Sequence, residues 1–155
     1  MNLEDLQTQI SARIAGDANL SDITVIIDDG TYPLNPGREA ALSDNGLVII
    51  IWPTDCDSVL DSSPEGSFVY TAVAHLIVEE NVSKNRATVG YKTALAVARL
   101  LGTRLAGSLG DDGPGGGNFN PSSCLLPLDP WFKNFGITDG INRVVVSFSR
   151  RFSSN

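Results

Sequence analysis

The chain has 155 residues, a length typical of one domain. Hydrophobic residues make up 42% of it and charged residues 19%, a balance that allows a buried core and excludes bulk disorder. No apolar run approaches the roughly 20 residues that a membrane helix needs. The N-terminus is acidic and amphipathic, unlike a secretory signal. We therefore expect a soluble, cytoplasmic protein that does not bind membranes.

The charge is unevenly distributed along the chain. The formal net charge is −7, which argues against sequence-independent binding of nucleic acid. Residues 1–80 carry fourteen Asp and Glu against two Arg, whereas residues 81–155 carry four acids against nine bases. This division has two interpretations, a scatter of solvated surface charge or a head-to-tail self-association that places an acidic patch on a basic one.

The first half of the chain predicts one helix and two strands. An amphipathic helix that ends near Gly16 is indicated by apolar residues at helical spacing, namely Leu3, Leu6, Ile10 and Ile14. A β-branched run over 22–30 and the apolar run 47–52 predict strands. Residues 31–45 are rich in turn formers, and the acidic segment 53–66 reads as a surface loop.

The second half predicts two strands, one helix and a long loop. Apolar residues alternate over 68–80 and again over 143–152, as in strands with a buried face. A turn at 81–85 precedes a helix over 88–105, whose residues Leu95, Ala98 and Leu101 should pack on the 68–80 strand. The Gly- and Pro-rich segment 107–140 predicts a loop.

This order of elements favours a single α+β domain over residues 1–155. We expect a mostly antiparallel sheet of four to five strands with two helices packed on one face. A doubly wound parallel sheet is disfavoured, because the strands are bunched together and few helices separate them.

The sequence predicts no catalytic, cofactor or metal site. Cys56 and Cys124 match no metal or redox spacing, and the one histidine, His75, lies in an apolar stretch that favours a core or interface role over that of a general base. The glycines of 113–117 lack the Gly-Lys-Ser/Thr ending of a phosphate-binding loop.

One enzymatic alternative rests on paired carboxylates at predicted strand ends. Asp28 with Asp29, and Glu79 with Glu80, could meet as the metal-binding cluster of a small nuclease. The lysine that usually follows such acids on the same strand is missing. Solvated acids at strand ends are the simpler interpretation.

Four basic residues are candidates for subunit contacts, namely Lys84, Arg86, Lys92 and Arg99. Lys92 and Arg99 would share one face of the predicted helix. If these bases meet the acids of residues 1–80 in a neighbouring copy, assembly should weaken as salt rises, because exposed pairs are screened over about 8 Å at physiological ionic strength.

Three aromatic residues of the predicted loop, Trp131, Phe132 and Phe135, form a second candidate group. Large apolar residues in a long loop either pin it to the core or dock on another chain. The glycines further upstream predict a mobile tip at 110–120, and the aromatic residues predict a docked segment at 124–136. That segment would lie on the core or on an adjacent subunit.

Residues 72–107 resemble tail terminator and related tail-completion proteins of long-tailed bacteriophages. The resemblance lies in a strand that ends in Glu80-Asn81, a turn with a second asparagine at Asn85, then Gly90, and an Ala-rich helix that ends at Leu105-Ala-Gly107. The order of the remaining elements is also similar. Val82 stands where the family usually has proline.

The resemblance implies a structural role. Such proteins are small α+β subunits that form a ring, commonly hexameric, at the head-proximal end of the tail. The ring caps polymerisation of the tail-tube protein and offers the surface to which the head connector or neck protein attaches. The resemblance implies that the protein is part of the virion and that it is found in the host cytoplasm during assembly. DNA can pass through the ring lumen without specific binding. A neck or head-completion protein on the portal side is the neighbouring alternative.

Overall fold

The computed structural model describes residues 3–52, 55–60, 68–106 and 131–153. Four helices and six strands lie in these ranges. In chain order they are α1 (Leu3–Ala15), β1 (Thr24–Ile27), α2 (Pro36–Asp44), β2 (Leu47–Ile51), β3 (Asp55–Leu60), β4 (Phe68–Asn81), α3 (Val82–Asn85), α4 (Ala94–Ala106), β5 (Trp131–Thr138) and β6 (Ile141–Ser153).

The strands form one mixed sheet in which five strands follow the order β1-β2-β4-β6-β5. β1 is parallel to β2, and the other neighbours are antiparallel. The sixth strand, β3, pairs with the first half of β4, whereas β2 pairs with its second half. The structure therefore confirms a single α+β domain with a mostly antiparallel sheet.

The larger core lies between one face of this sheet and helices α1 and α4. Ile10 and Ile14 of α1 are fully buried there, as are Ala98 and Leu101 of α4. The partly buried Leu95 packs against the same cluster. These side chains meet Leu76, Val78 and other residues of the sheet. The predicted packing of two helices on one face, with α4 against β4, is thus confirmed.

The opposite face carries α2, which the turn-rich composition of 31–45 did not predict. The side chain of Asn35 caps the helix by accepting a hydrogen bond from the Gly37 N–H at 2.9 Å, and Pro36 occupies the first turn, where proline is well tolerated. Ala41 and Leu42 are buried against a second cluster of the sheet, Val48, Ile50 and Ile77. Here proline and asparagine begin a helix instead of marking a turn.

Helix α4 begins at Ala94, so the prediction of a helix from residue 88 is wrong for its first six residues. Gly90 has a φ of +75°, which breaks a right-handed helix. Tyr91 is consequently 45% exposed and Lys92 precedes the helix, so Lys92 and Arg99 do not share a helical face.

Two strands and a short helix occupy segments that were predicted to be irregular. β3 lies within 53–66, and β5 lies at the end of the predicted 107–140 loop. The helical turn α3 replaces the turn predicted at 81–85. Residues 107–130, which include the predicted mobile tip and Cys124, lie outside the described part of the chain. Within the described ranges, no helix is both long enough and apolar enough to cross a bilayer.

Candidate functional site

The two adjacent glutamates at the end of β4 point to opposite faces of the sheet. Side chains alternate along a strand, so Glu79 shares the face of Ile77 and α2, whereas Glu80 shares the face of Val78 and α4. Both residues have no exposed surface. Buried carboxylates need charged or polar partners, and each of these two has them.

Glu79 is held by two arginines from different elements. Arg38 of α2 donates to both carboxylate oxygens, with its Nη2 2.9 Å from Oε2, and Arg143 of β6 donates through Nη2 at 2.9 Å and Nε at 3.1 Å. Burial disfavours the charged carboxylate, but these hydrogen bonds and charges outweigh it and hold the pKa of Glu79 below its ordinary value. Glu79 therefore ties α2 to the sheet.

Tyr32 completes this network from the side of the turn after β1. The guanidinium carbons of Arg38 and Arg143 lie 5.4 and 5.6 Å from its ring centroid, and Trp52 meets the ring edge-on at 5.1 Å. Burial and the nearby Glu79 charge raise the pKa of Tyr32. The side chain packs as part of a cationic and aromatic cluster.

Glu80 joins the strand end to the start of α4. One carboxylate oxygen accepts a hydrogen bond from the Ala94 N–H at 2.9 Å, and the other accepts from Arg86 Nε at 2.8 Å. A carboxylate at a helix N-terminus is stabilised by the free backbone N–H groups and by the helix dipole. The Glu80 hydrogen bond raises the pKa of Arg86.

Three residues, Gly46, Asn81 and Asn85, lie close together at the same end of the sheet. Asn81 N–H donates to the Gly46 carbonyl at 2.8 Å, and the Asn81 side chain caps α3. Asn85 is buried and donates to the Lys92 carbonyl at 2.8 Å. The residues that carry the family resemblance thus connect β4, α3 and α4. We call Gly46, Glu79, Glu80, Asn81 and Asn85 the junction.

The carboxylates of the nuclease alternative do not converge. Asp28 is buried and accepts hydrogen bonds from the Gly30 and Tyr32 N–H groups, so it stabilises the turn after β1. Thr24 of β1 pairs with Val48 of β2, and Val48 pairs with Glu79 of β4. Asp28 follows Thr24 by four residues, so it lies roughly 13 Å along the strands from Glu79. Among the described residues, no three His, Cys, Asp or Glu side chains are grouped to hold a metal.

His75 is half-buried on the α2 side of β4. Its Nδ1 lies 2.7 Å from the Ser147 Oγ of the neighbouring strand β6, so the two side chains share a hydrogen bond across the pair. His75 belongs to neither of the two buried clusters, and an interface position for it stays a prediction. Sequence reasoning missed Ser147, because 72 residues separate the two side chains along the chain.

Two of the four basic candidates are engaged within the subunit. Arg86 pairs with Glu80, and Lys92 Nζ donates to the Asn19 carbonyl at 2.6 Å while lying 3.9 Å from Asp22. Lys84 on α3 and Arg99 on α4 are exposed. Two of the four candidates therefore already have acidic partners in the same subunit.

The aromatic candidates lie on β5, which is an edge strand of the sheet. Phe132 is 43% exposed and Phe135 51% exposed, and Ile137 of the same strand is 59% exposed. Lys133 Nζ lies 4.9 Å from the Phe135 ring centroid. The side chain of Trp131, the first residue of the strand, falls outside the described part. β5 is thus an edge with three exposed apolar side chains.

A scan against protein-family models found no match, and a search of curated proteins found none either.

Proposed function

We propose that the chain is a structural subunit of a phage virion. In this proposal, copies of it form a ring at the head-proximal end of a long tail. The ring caps the tail tube and provides the attachment surface for the head connector. This function rests on the resemblance of residues 72–107 to tail terminator and tail-completion proteins, and the geometry of the sheet supports it in one respect.

The observation that carries the proposal is the open edge of β5. Among the described strands, none pairs with its outer side, and Phe132, Phe135 and Ile137 expose apolar surface there. An open strand with such side chains is a template for pairing with another chain, and soluble proteins that remain monomeric usually shield it. A subunit that must assemble has a use for this edge.

The hydrogen bonds of the two buried glutamates also favour a structural role over an enzymatic one. The buried carboxylates Glu79 and Glu80 accept hydrogen bonds from arginines and from a backbone N–H, so they serve to join elements. The nuclease alternative would need these oxygens for a metal ion. A neck or head-completion protein remains the second candidate, since it would use the same kind of edge contact.

The test is a measurement of mass across concentration, for example by sedimentation velocity from low to high micromolar protein, followed by electron microscopy of the largest species. We expect closed rings of defined stoichiometry that block the growth of tail tubes when added to polymerising tube protein. A nuclease assay with Mg²⁺ is run in parallel. A monomer at every concentration that cleaves DNA would contradict the proposal. Rings that bind portal protein but leave tube growth unchanged would favour the neck protein.

A further inference from the structure

The two edges of the five-strand path, β1 and β5, run in opposite directions. β1 is parallel to β2, and each of the three further steps across the sheet to β5 reverses direction. A neighbouring copy in the same orientation would therefore bring its β1 antiparallel to β5. Antiparallel strands pair through hydrogen bonds that run perpendicular to the strands. Chain direction thus permits head-to-tail growth of the sheet from one copy to the next.

The two edges also stand at the same level of the sheet, where a level is a row of residues that pair directly with one another from strand to strand. One such row joins the edges directly, and it consists of Ile27, Ile51, Leu76, Val146 and Phe132. Directly opposite residues share a face. Ile27 of β1 and Phe132 of β5 therefore lie at one level and on one face, the face that carries α1 and α4.

Both ends of this row are exposed. Ile27 is 44% exposed and Phe132 is 43% exposed, whereas Ile51, Leu76 and Val146 between them are fully buried. The row is apolar throughout and is open to solvent at its two ends. A second copy placed at the same level would set its Ile27 beside Phe132 and close the row.

The lengths of the two edges agree as well. A β-bulge between Asn134 and Gly136 interrupts the ladder of β5, and Gly136 there has a φ of +72°. The regular part of the strand before the bulge is therefore Trp131–Asn134, four residues long. β1 also has four residues, Thr24–Ile27. With Ile27 opposite Phe132, Val25 stands opposite Asn134, so the pairing ends at the bulge, which limits how far an edge can pair.

We propose that β1 of one copy of this chain adds to β5 of the next, with Ile27 packed against Phe132. The inference rests on the proposed ring and names its subunit contact. Such an interface is heterologous, because different surfaces meet, and it leaves one free edge at each end of the growing chain until a ring closes. The contact is main-chain pairing with one apolar anchor, as in strand addition between proteins.

A disulfide between the two positions tests the contact. Ile27→Cys and Phe132→Cys are introduced together into the full chain, and oxidised products are identified by mass spectrometry of linked peptides, so the native cysteines are kept. The two positions are four strand spacings apart in one subunit, roughly 19 Å, whereas a disulfide needs Cα atoms within about 7 Å. A disulfide between positions 27 and 132 must therefore join two copies. We expect a covalent ladder that ends at the ring size.

Matched controls separate this register from others. Ile137→Cys combined with Ile27→Cys places the thiol on the same strand and face but four residues further along β6, roughly 13 Å away. We expect the 27–132 link at least tenfold above the 27–137 link and above the links in each single variant. A dominant 132–132 link would show symmetric pairing of β5 with itself and overturn the inference. So would a thiol at position 132 that is shielded from alkylation in the monomer, because another part of the same chain would then cover the edge.

A second measurement separates this contact from the ring itself. Ile27→Asp and Phe132→Lys should each weaken association at least tenfold, and an equal mixture of the two variants should restore it, because the opposite charges meet only across this contact. If wild-type protein forms rings, but the variant with Ile27→Cys and Phe132→Cys gives no 27–132 link and the two charged variants still associate, the contact is overturned and the ring is left in place. A wild-type protein without any association would overturn both.

Discussion

The junction at the end of β4 and the edge strand β5 differ in which side chains they bury. In the junction, Glu79 and Glu80 are fully buried, and arginines and backbone groups occupy their oxygens. At the edge, Phe132 and Ile137 leave about half of their surface in water. The junction thus buries charged residues that hold elements of the subunit together, whereas the β5 edge exposes apolar residues at a strand with which another chain could pair.

This difference indicates where function and stability reside. Two residues of the family resemblance, Asn81 and Asn85, bind elements together, and Asn85 is buried. The edge that we propose for subunit contact lies on β5, outside the stretch that carries the resemblance. We therefore expect substitutions in the junction to unfold the subunit, whereas substitutions on the edge should separate folded subunits.

The largest effect is expected from Glu79→Gln. Glutamine cannot neutralise Arg38 and Arg143, and breaking a buried ion pair from one side costs roughly 3–5 kcal/mol of unfolding free energy. The measurement is chemical denaturation, with Glu39→Gln as the control. Glu39 is exposed in the first turn of the same helix, where losing its charge should change stability by about 1 kcal/mol or less. A loss equal to that of the control would show that the Glu79 network does not hold α2 to the sheet.

We also expect the stability difference between wild type and Glu79→Gln to depend on pH. The pKa of Glu79 is lowered in the folded state from an ordinary value of 4.5, so its contribution is fully present above that pH and is lost as the pH falls through the folded value. The difference in stability between wild type and Glu79→Gln should accordingly shrink as the pH falls below about 4.5. A difference that stays constant from about pH 6 to about pH 3 would contradict the ionised network.

A smaller loss of stability is expected from Gly46→Ala in the junction, and Gly90→Ala is its matched control. Gly46 and Gly90 both have positive φ, +79° and +75°, but a Cβ on Gly46 would lie 2.5 Å from the Asn85 nitrogen, whereas one on Gly90 would meet no atom within 4 Å. Gly90→Ala should cost only the backbone penalty, roughly 1–2 kcal/mol. Gly46→Ala should cost roughly 1–3 kcal/mol more, as for an overpacked site. Equal losses in thermal denaturation would show that the junction can shift freely.

The smallest effect concerns salt and association. Arg86 and Lys92 have acidic partners within the subunit, and the proposed contact is apolar, so few exposed pairs remain to be screened. An exposed pair contributes about 0.2–1 kcal/mol, so the association constant should fall at most about fivefold per pair between low and high salt. Sedimentation at two salt concentrations measures this. A fall of several orders of magnitude would favour the pairing of acidic and basic patches over the edge contact.

Periodicity in the sequence predicted the parts of the fold in which one face of an element is buried. Helix α1, the long strand β4 and the final strand β6 alternate or repeat as expected, and Leu101 lies in the core as predicted. Helix α2 was missed, because only Ala41 and Leu42 of its nine residues are buried and its start resembles a turn. β5 was missed because a Gly- and Pro-rich segment precedes it, and its aromatic residues do not alternate with polar ones.

The sequence by itself determined the single α+β domain, the apolar stripes and the uneven charge, because these depend on local spacing and composition. Only the tertiary structure decided that Glu79 and Glu80 are buried on opposite faces with different arginines, since Arg38 and Arg143 lie 41 and 64 residues from Glu79. It also decided that Ile27 and Phe132 end one apolar row. That alignment follows from the register of four strand pairs, and register is set by contacts that are distant along the chain.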